Sequence, residues 1–406
     1  MSNYIIIFSV LLAIAIVFFI LLKILRNKEN YKRTLNLTFL KITLPKKDSD
    51  LDDKKETTKD FKEMIWLMEQ LFSSLKAIHS WKILKKILGQ DLLSFEYIAH
   101  EWEIWFYVVI PKNYKNLIEK QINWFYTDAV VEETTEINIF KNRKYIESTY
   151  LNTSKDFFLP IKTYQKLESD PINNITNAFS KLEEDESASI QVLLKPIKDD
   201  WQWECTKASS SLMKGKSAWL TLNPFKLIVW FISILFSNTQ DEKIPTTPDD
   251  TTSALTQERS KTVDEKWDKT WFEVIIRVIS TGNDKWIVES ELINIISAFS
   301  QLSYPDFNWF TNTIRHNKDK LIKNYIYRFF KKPWYLKKMI LNTEEIASIF
   351  HFPHIKYNNT PEIKWQNFKI VKAPTNIPKE WILLWYNVHR WVKKEIRMKT
   401  EDRMRH

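Results

Sequence analysis

Glycine is nearly missing from this chain: 406 residues contain three, Gly89, Gly215 and Gly282, beside eighteen tryptophans. Ordinary usage, near 7 %, would give roughly 28. Glycine lets the backbone reach positive φ and lets amide groups crowd around a phosphate. The scarcity therefore excludes a Gly-rich phosphate loop, a dinucleotide fingerprint and a strained nucleophile elbow. Cysteine is scarcer still, and Cys205 alone permits neither an internal disulfide nor a thiolate metal cluster. The formal charge of +10 sits at two ends: eight Lys and Arg against Glu29 over residues 23–47, and ten against four acids over 367–406. The middle is slightly acidic, which argues against one broad nucleic-acid-binding face.

What is present is a folding composition, 44 % hydrophobic and 27 % charged, with room for two or three compact domains. Tyr4 to Leu22 carries no charge, and Tyr4, Ile5, Phe8 and Leu22 belong to this apolar run. As a helix it is about 28 Å long, close to a bilayer's hydrocarbon thickness. The reading is a transmembrane anchor over 1–25. Lys23, Arg26, Lys28, Lys32 and Arg33 follow it. The positive-inside rule then sets the topology: a single-pass protein of the inner or cytoplasmic membrane, N-terminus outside and bulk cytoplasmic. A second apolar run, Phe225–Phe236, is too short to span and reads as a buried or an interfacial helix.

Between these landmarks the pattern is α+β. After a basic juxtamembrane segment and first strand (26–45) and a polar linker (46–59), residues 60–143 alternate between periods of two and 3.6. With the strand Leu35–Leu44 they give the order β-α-β-β-α-β of a ferredoxin-like unit. A second, split unit is expected over 144–200 and 267–335, with strands at Tyr145–Tyr164, Ala188–Ile197, Thr270–Ser280 and Leu321–Phe330. It is interrupted by an insertion (201–237) and a flexible linker (238–266) without apolar periodicity. Residues 336–406 hold a short helix after an Asn342–Thr343 cap, then strands.

Candidate chemistry is thin. His351 and His354 (HFPH) have a metal-like i, i+3 spacing, but no third ligand is near, and packing at the end of the 344–350 helix is favoured. Glu183–Glu186 reads as a solvated helix end rather than a magnesium site. Asp199 and Asp200 beside Trp201 and Trp203 suggest a stacking site or a simple turn, and Ser209–Ser211 has no histidine partner. The basic tail places Arg390, Lys393, Lys394 and Arg397 as contacts to phosphate or anionic lipid.

Several long segments (FKEMIWLMEQLFSSL, DAVVEE, FFLPIKTYQKLESDPINNITNAFSKLEEDESASIQVLL, LNTEEIASIFHFPH, TPEIKW and KKEIRMKTEDRMRH) resemble, in order, a family from small-genome uncultivated bacteria. Its members look like type IV secretion and conjugation motors: an anchor, an uncharacterised N-terminal region, then a HerA/FtsK-type ATPase. The resemblance implies a role in conjugative DNA transfer or secretion. It also implies a homo-oligomeric ring, secretion-channel partners and only indirect contact with DNA. The nucleotide-binding loop would lie beyond residues 405–406, so no cofactor is implied here, and ATP and magnesium only with the motor domain. The resemblance further places glycine where this chain has Trp102, Trp381, Trp385 and Trp391. Because some bacterial lineages read UGA as glycine, most of the tryptophans are expected to be glycines in the native protein.

The preferred reading is a membrane-anchored, non-catalytic assembly module of a DNA-transfer or secretion motor. One alternative is the N-terminal fragment of a full P-loop ATPase. A third is a membrane-surface scaffold unrelated to DNA.

Overall fold

The computed structural model describes residues 2–46, 61–197, 254–313, 317–358, 360–366, 372–389 and 392–404. Its centre is a nine-stranded antiparallel sheet, so the fold class is α+β. Strands β1 (Leu37–Thr43), β2 (Leu93–His100), β3 (Glu103–Pro111) and β4 (Val130–Thr134) lie in the order β4-β1-β3-β2. Helices α2 (Phe61–Leu75) and α4 (Lys115–Phe125) are their crossovers. Strands β5 (Tyr145–Thr153), β6 (Ser187–Pro196), β7 (Trp271–Gly282) and β8 (Phe310–Asn312) repeat that order as β8-β5-β7-β6, with α5 (Ile172–Phe179) and α7 (Lys285–Ser297) between. Each half has the strand order of a split βαβ unit. The halves fuse where β2 pairs β6, Leu93 opposite Leu194 through His100 opposite Ser187.

Alternation in the central strands sends side chains to two different cores. On one face Phe95, Tyr97, Ile190, Val192, Val274 and Ile276 pack with the buried stripes of α2, α4, α5 and α7. Joining them is α9 (Thr343–Ile349), capped by Asn342 in a capping box with Glu345. On the other face Ile98, Tyr107, Leu193 and Ile275 meet Leu321 and Tyr325 of α8 (Lys318–Ile326). Both faces are covered, which explains why β2, β6 and β7 read as nearly continuous apolar runs.

The structure corrects the N-terminal reading. The apolar run is the first part of one helix, α1 (Ser2–Thr34), which continues without a break through Lys23, Arg26, Lys28, Lys32 and Arg33. Among the described residues no helix is long and apolar enough to cross a membrane. The transmembrane anchor, and with it the single-pass membrane location, is therefore not supported. Two of the cations taken as a topology signal have structural work instead. Arg26 donates to the Ile87 carbonyl at 2.7 Å, and Arg33 reaches the Leu88, Gly89 and Gln90 carbonyls at 3.2, 2.6 and 3.3 Å. They satisfy the orphan acceptors at the end of α3 (Ile83–Leu88). Lys23, Lys28 and Lys32 are exposed and Leu22 half-buried; nothing is described of the Tyr4, Ile5 and Phe8 side chains.

Three further expectations shift. The flexible linker is helical from Ala254 to Trp267 (α6), because Val263 and Trp267 enter a third small core with Phe307 and Ile340. Leu321–Phe330 is not a strand: Leu321 and Tyr325, four apart, are the buried stripe of α8. The strand expected over Tyr145–Tyr164 ends at Thr153. The insertion and its apolar run, the 47–59 part of the first linker and residues 238–253 lie outside the described residues.

Candidate functional site

A row of polar side chains crosses the seam between the two halves. Glu96 on β2 stands opposite Gln191 on β6, which stands opposite Arg277 on β7. All three are fully buried on the α8 face. Burying them demands complete pairing. Glu96 Oε1 accepts from Ser94 Oγ at 2.6 Å, Gln191 Nε2 at 3.0 Å and Arg328 Nε at 3.1 Å, while Oε2 accepts from Arg328 Nη2 at 3.0 Å. Arg328 also pairs with Glu136. Burial raises the Glu96 carboxyl, but the Arg328 charge and these donors outweigh it and hold the group below the usual glutamate range.

Arg277 extends the row. Its Nη1 donates to Gln191 Oε1 at 2.7 Å and to the Asn324 carbonyl at 3.0 Å; Nη2 donates to the Phe329 carbonyl and, at 3.1 Å, to that of Lys331. Burial brings this guanidinium down to about 10, opposed by Tyr150. One side chain thus fixes three carbonyls of the 324–331 turn, where Arg328 adopts φ +47°. The row works as a clamp: it locks the halves together and sets the shape of that turn.

Two other buried pairs tie the C-terminal part to α6 and to the loop before α5. Lys266 Nζ of α6 lies 3.1 Å from Glu345 Oε2. His351 lies 2.8 Å from both the Ala347 carbonyl and Asp170 Oδ1, so both ring nitrogens are engaged. His354 caps its own turn, its Nδ1 accepting from the Lys356 amide at 3.2 Å. The two histidines are not brought together on a ligand, and among the described residues no three His, Cys, Asp or Glu side chains gather as a metal site. Glu186 closes the acidic turn, accepting from the Glu183 amide at 2.9 Å. Residues 199–203 and 209–211 lie outside the described residues.

The basic tail forms a two-stranded ribbon apart from the main sheet, β10 (Ile382–His389) against β11 (Val392–Met398). Its cations have partners in the chain while staying at least partly exposed. Lys393 Nζ stands 3.7 Å over the Tyr386 ring, Lys394 donates to the Pro374 carbonyl, and Arg397 bonds Glu395 at 2.6 Å and the Trp381 carbonyl at 2.9 Å. Arg390 lies outside the described residues. Ile382, Leu383, Leu384, Trp385 and Tyr386 are consecutive and all exposed, so β10 shows apolar groups on both faces.

None of Glu96, Gln191, Arg277 or Arg328 stands out as a motif. The available signal was a long polar side chain flanked by apolar residues in each strand, as in FEY, IQV and IRV. Such residues in doubly covered strands have to find each other.

No curated protein matches the chain. A profile of the DUF8128 family, a domain of unknown function, matches residues 56–366, which takes in the whole nine-stranded sheet apart from β1. Since this is most of the chain, the protein belongs to the DUF8128 family.

Proposed function

We propose that this chain is a non-catalytic assembly module that associates with further copies of itself, serving a DNA-transfer or secretion motor. The observation that carries the self-association is the β10–β11 ribbon. A lone two-stranded hairpin is marginal in water, yet this one exposes five consecutive large apolar residues. An open strand edge beside an apolar surface is a template for pairing with another chain. The same molecule offers a complement to the cations of β11: Glu183, Glu184 and Asp185 form an exposed acidic turn at the far end of the seam. Ribbon on one copy against acidic turn on the next is a head-to-tail contact, which closes into a ring when the rotation permits. The motor assignment itself is supported by the sequence resemblance alone.

The test is the mass of the full chain by light scattering after size exclusion. Mild detergent is needed because Ile14, Phe18, Phe19 and Leu21 of α1 are exposed. A defined oligomer is expected, reduced to monomer by Leu383→Asp with Tyr386→Asp. A monomeric parent at micromolar concentration, or an oligomer indifferent to these changes, overturns the reading.

A further inference from the structure

Beside the turn that Arg277 fixes lies an open cleft of about 900 Å³ with an unusual charge. Lys23, Lys320, Lys323, Lys331 and Lys332 line it, and among the described residues no carboxylate does. They come from α1, α8 and the 331–335 turn, segments far apart in the sequence. Tyr31, Phe329 and Tyr335 supply aromatic wall. Burial, opposed by Glu273 and aided by Lys195 and Lys338 outside the cleft, brings the Lys332 ammonium down to about 8. Elsewhere on the surface lysines find carboxylates, as Lys318 with Glu147, Lys337 with Asp156 and Lys364 with Glu103. The cleft volume is that of a site for a ligand of nucleotide size.

We propose that this cleft binds a phosphate-bearing anion, its charge met by the lysines and its apolar part by Tyr31 and Tyr335. Phosphate suits the site because lysine acts on it as a mobile point charge, without the fixed fork that a planar carboxylate favours. The phosphate can belong to a free nucleotide or to a lipid headgroup, and two arms of one experiment separate these sources. The proposal stands apart from self-association, since none of these residues lies on the ribbon.

The full chain is titrated with ATP by calorimetry, and in parallel sedimented with phosphatidylcholine vesicles with and without phosphatidylglycerol. The comparison proteins are Lys320→Glu with Lys323→Glu, both exposed positions, and the remote control Lys120→Glu on α4. Unchanged unfolding midpoints establish that the variants fold. ATP binding weakened tenfold or more in the double variant but not in the control supports a free phosphate ligand. Phosphatidylglycerol-dependent sedimentation lost in the same way supports a headgroup. Binding in neither arm, or equal loss in Lys120→Glu, overturns the proposal.

A separate observation bears on the tryptophans. Among the described residues five other than glycine have positive φ, and two of them are tryptophan: Trp102 at +64° and Trp381 at +95°. Glu101 at +51° and Trp102 form the two-residue connection between β2 and β3, with His100 paired to Glu103. Two positive φ values in a row are the type I′ turn, whose second position strongly favours glycine. A φ of +95° lies outside the left-handed well open to other residues. Neither indole is buried. We infer that positions 102 and 381 are glycine in the protein as its own cells make it, through UGA read as glycine. Mass-spectrometric sequencing of peptides across both positions from native material decides the matter: glycine supports the inference, tryptophan at either position overturns it there.

Discussion

Arg328 reaches Glu96 with two nitrogens in a buried site, so losing Arg328 leaves the Glu96 charge stranded. Breaking such a pair costs about 3–5 kcal/mol. Arg328→Met is expected to lower stability by that much in urea unfolding, and a loss below about 1 kcal/mol would refute the clamp. The pH dependence follows from Glu96, whose folded-state carboxyl is held below the ordinary value of about 4.3. A depressed carboxyl contributes stability in full above the unfolded value and loses it as pH falls through the folded one. The stability gap between parent and Glu96→Gln should therefore be widest near neutrality and close on acidification below pH about 4. A gap independent of pH would sink this account. At Trp102 the sign reverses. A left-handed conformation costs a side chain about 1–2 kcal/mol, and the exposed indole returns little. Trp102→Gly is expected to raise stability by about 1 kcal/mol in the recombinant chain, and a destabilised variant would count against the strained turn. The family resemblance in the sequence places glycine at this same position. The buried row was not legible, since Glu96 and Arg277 become partners only through register across the sheet.

At the scale of elements, α3 shows how local structure is held from a distance. Its last carbonyls are satisfied by Arg33, from a helix more than fifty residues away in sequence, at 2.6 Å for Gly89. Gly89 itself has φ +107°, which a side chain would strain, and an added Cβ would come within 2.9 Å of Arg33 Nη1 and push the flexible end of that arginine aside. None of the residues of α3 is buried, so it depends on this cap together with Arg26 on the Ile87 carbonyl and the Lys85–Asp91 ion pair at 2.5 Å. Arg33→Met should therefore speed amide exchange in Ile83–Leu88 by at least tenfold while α2 and β2 keep their protection. Equal loosening of α2 would show that Arg33 supports the core rather than the cap. The two misread elements have different physical causes. In α6 only Val263, Lys266 and Trp267 are described as buried, too sparse a stripe to register as periodicity amid TQERSK and DEK. At α8 the aromatic and β-branched content of IYRFF, which begins at the helix's last residue, mimics a strand, yet the four-residue spacing of Leu321 and Tyr325 decides in favour of a helix.

The whole molecule poses the question whether two split units fused edge to edge are two folding units or one. Sequence periodicity could suggest a second copy, but not that β2 and β6 would join, because edge pairing leaves no trace in either strand alone. Three observations favour a single unit. One core runs unbroken from Leu40 and Phe72 in the first half to Phe272 and Phe299 in the second. The polar row spans the seam from Ser94 to Arg277. The C-terminal part straps both halves, with β9 (Ile340–Asn342) on β7 and the Ile349 carbonyl accepting from Tyr97 Oη of β2 at 3.2 Å. Unfolding followed by far-ultraviolet dichroism and by fluorescence should then coincide in one transition. The sharper probe is Ile190→Pro, since Ile190 stands between Tyr97 on β2 and Val278 on β7. Proline in a central strand removes a ladder donor and cannot be accommodated by an edge. In a single unit the damage crosses the seam, so amides of β3 and β1 lose protection together with those of β7. If β3 stays protected while β7 exchanges freely, the halves are independent modules, and the clamp of Glu96, Gln191 and Arg277 merely docks one finished unit against another.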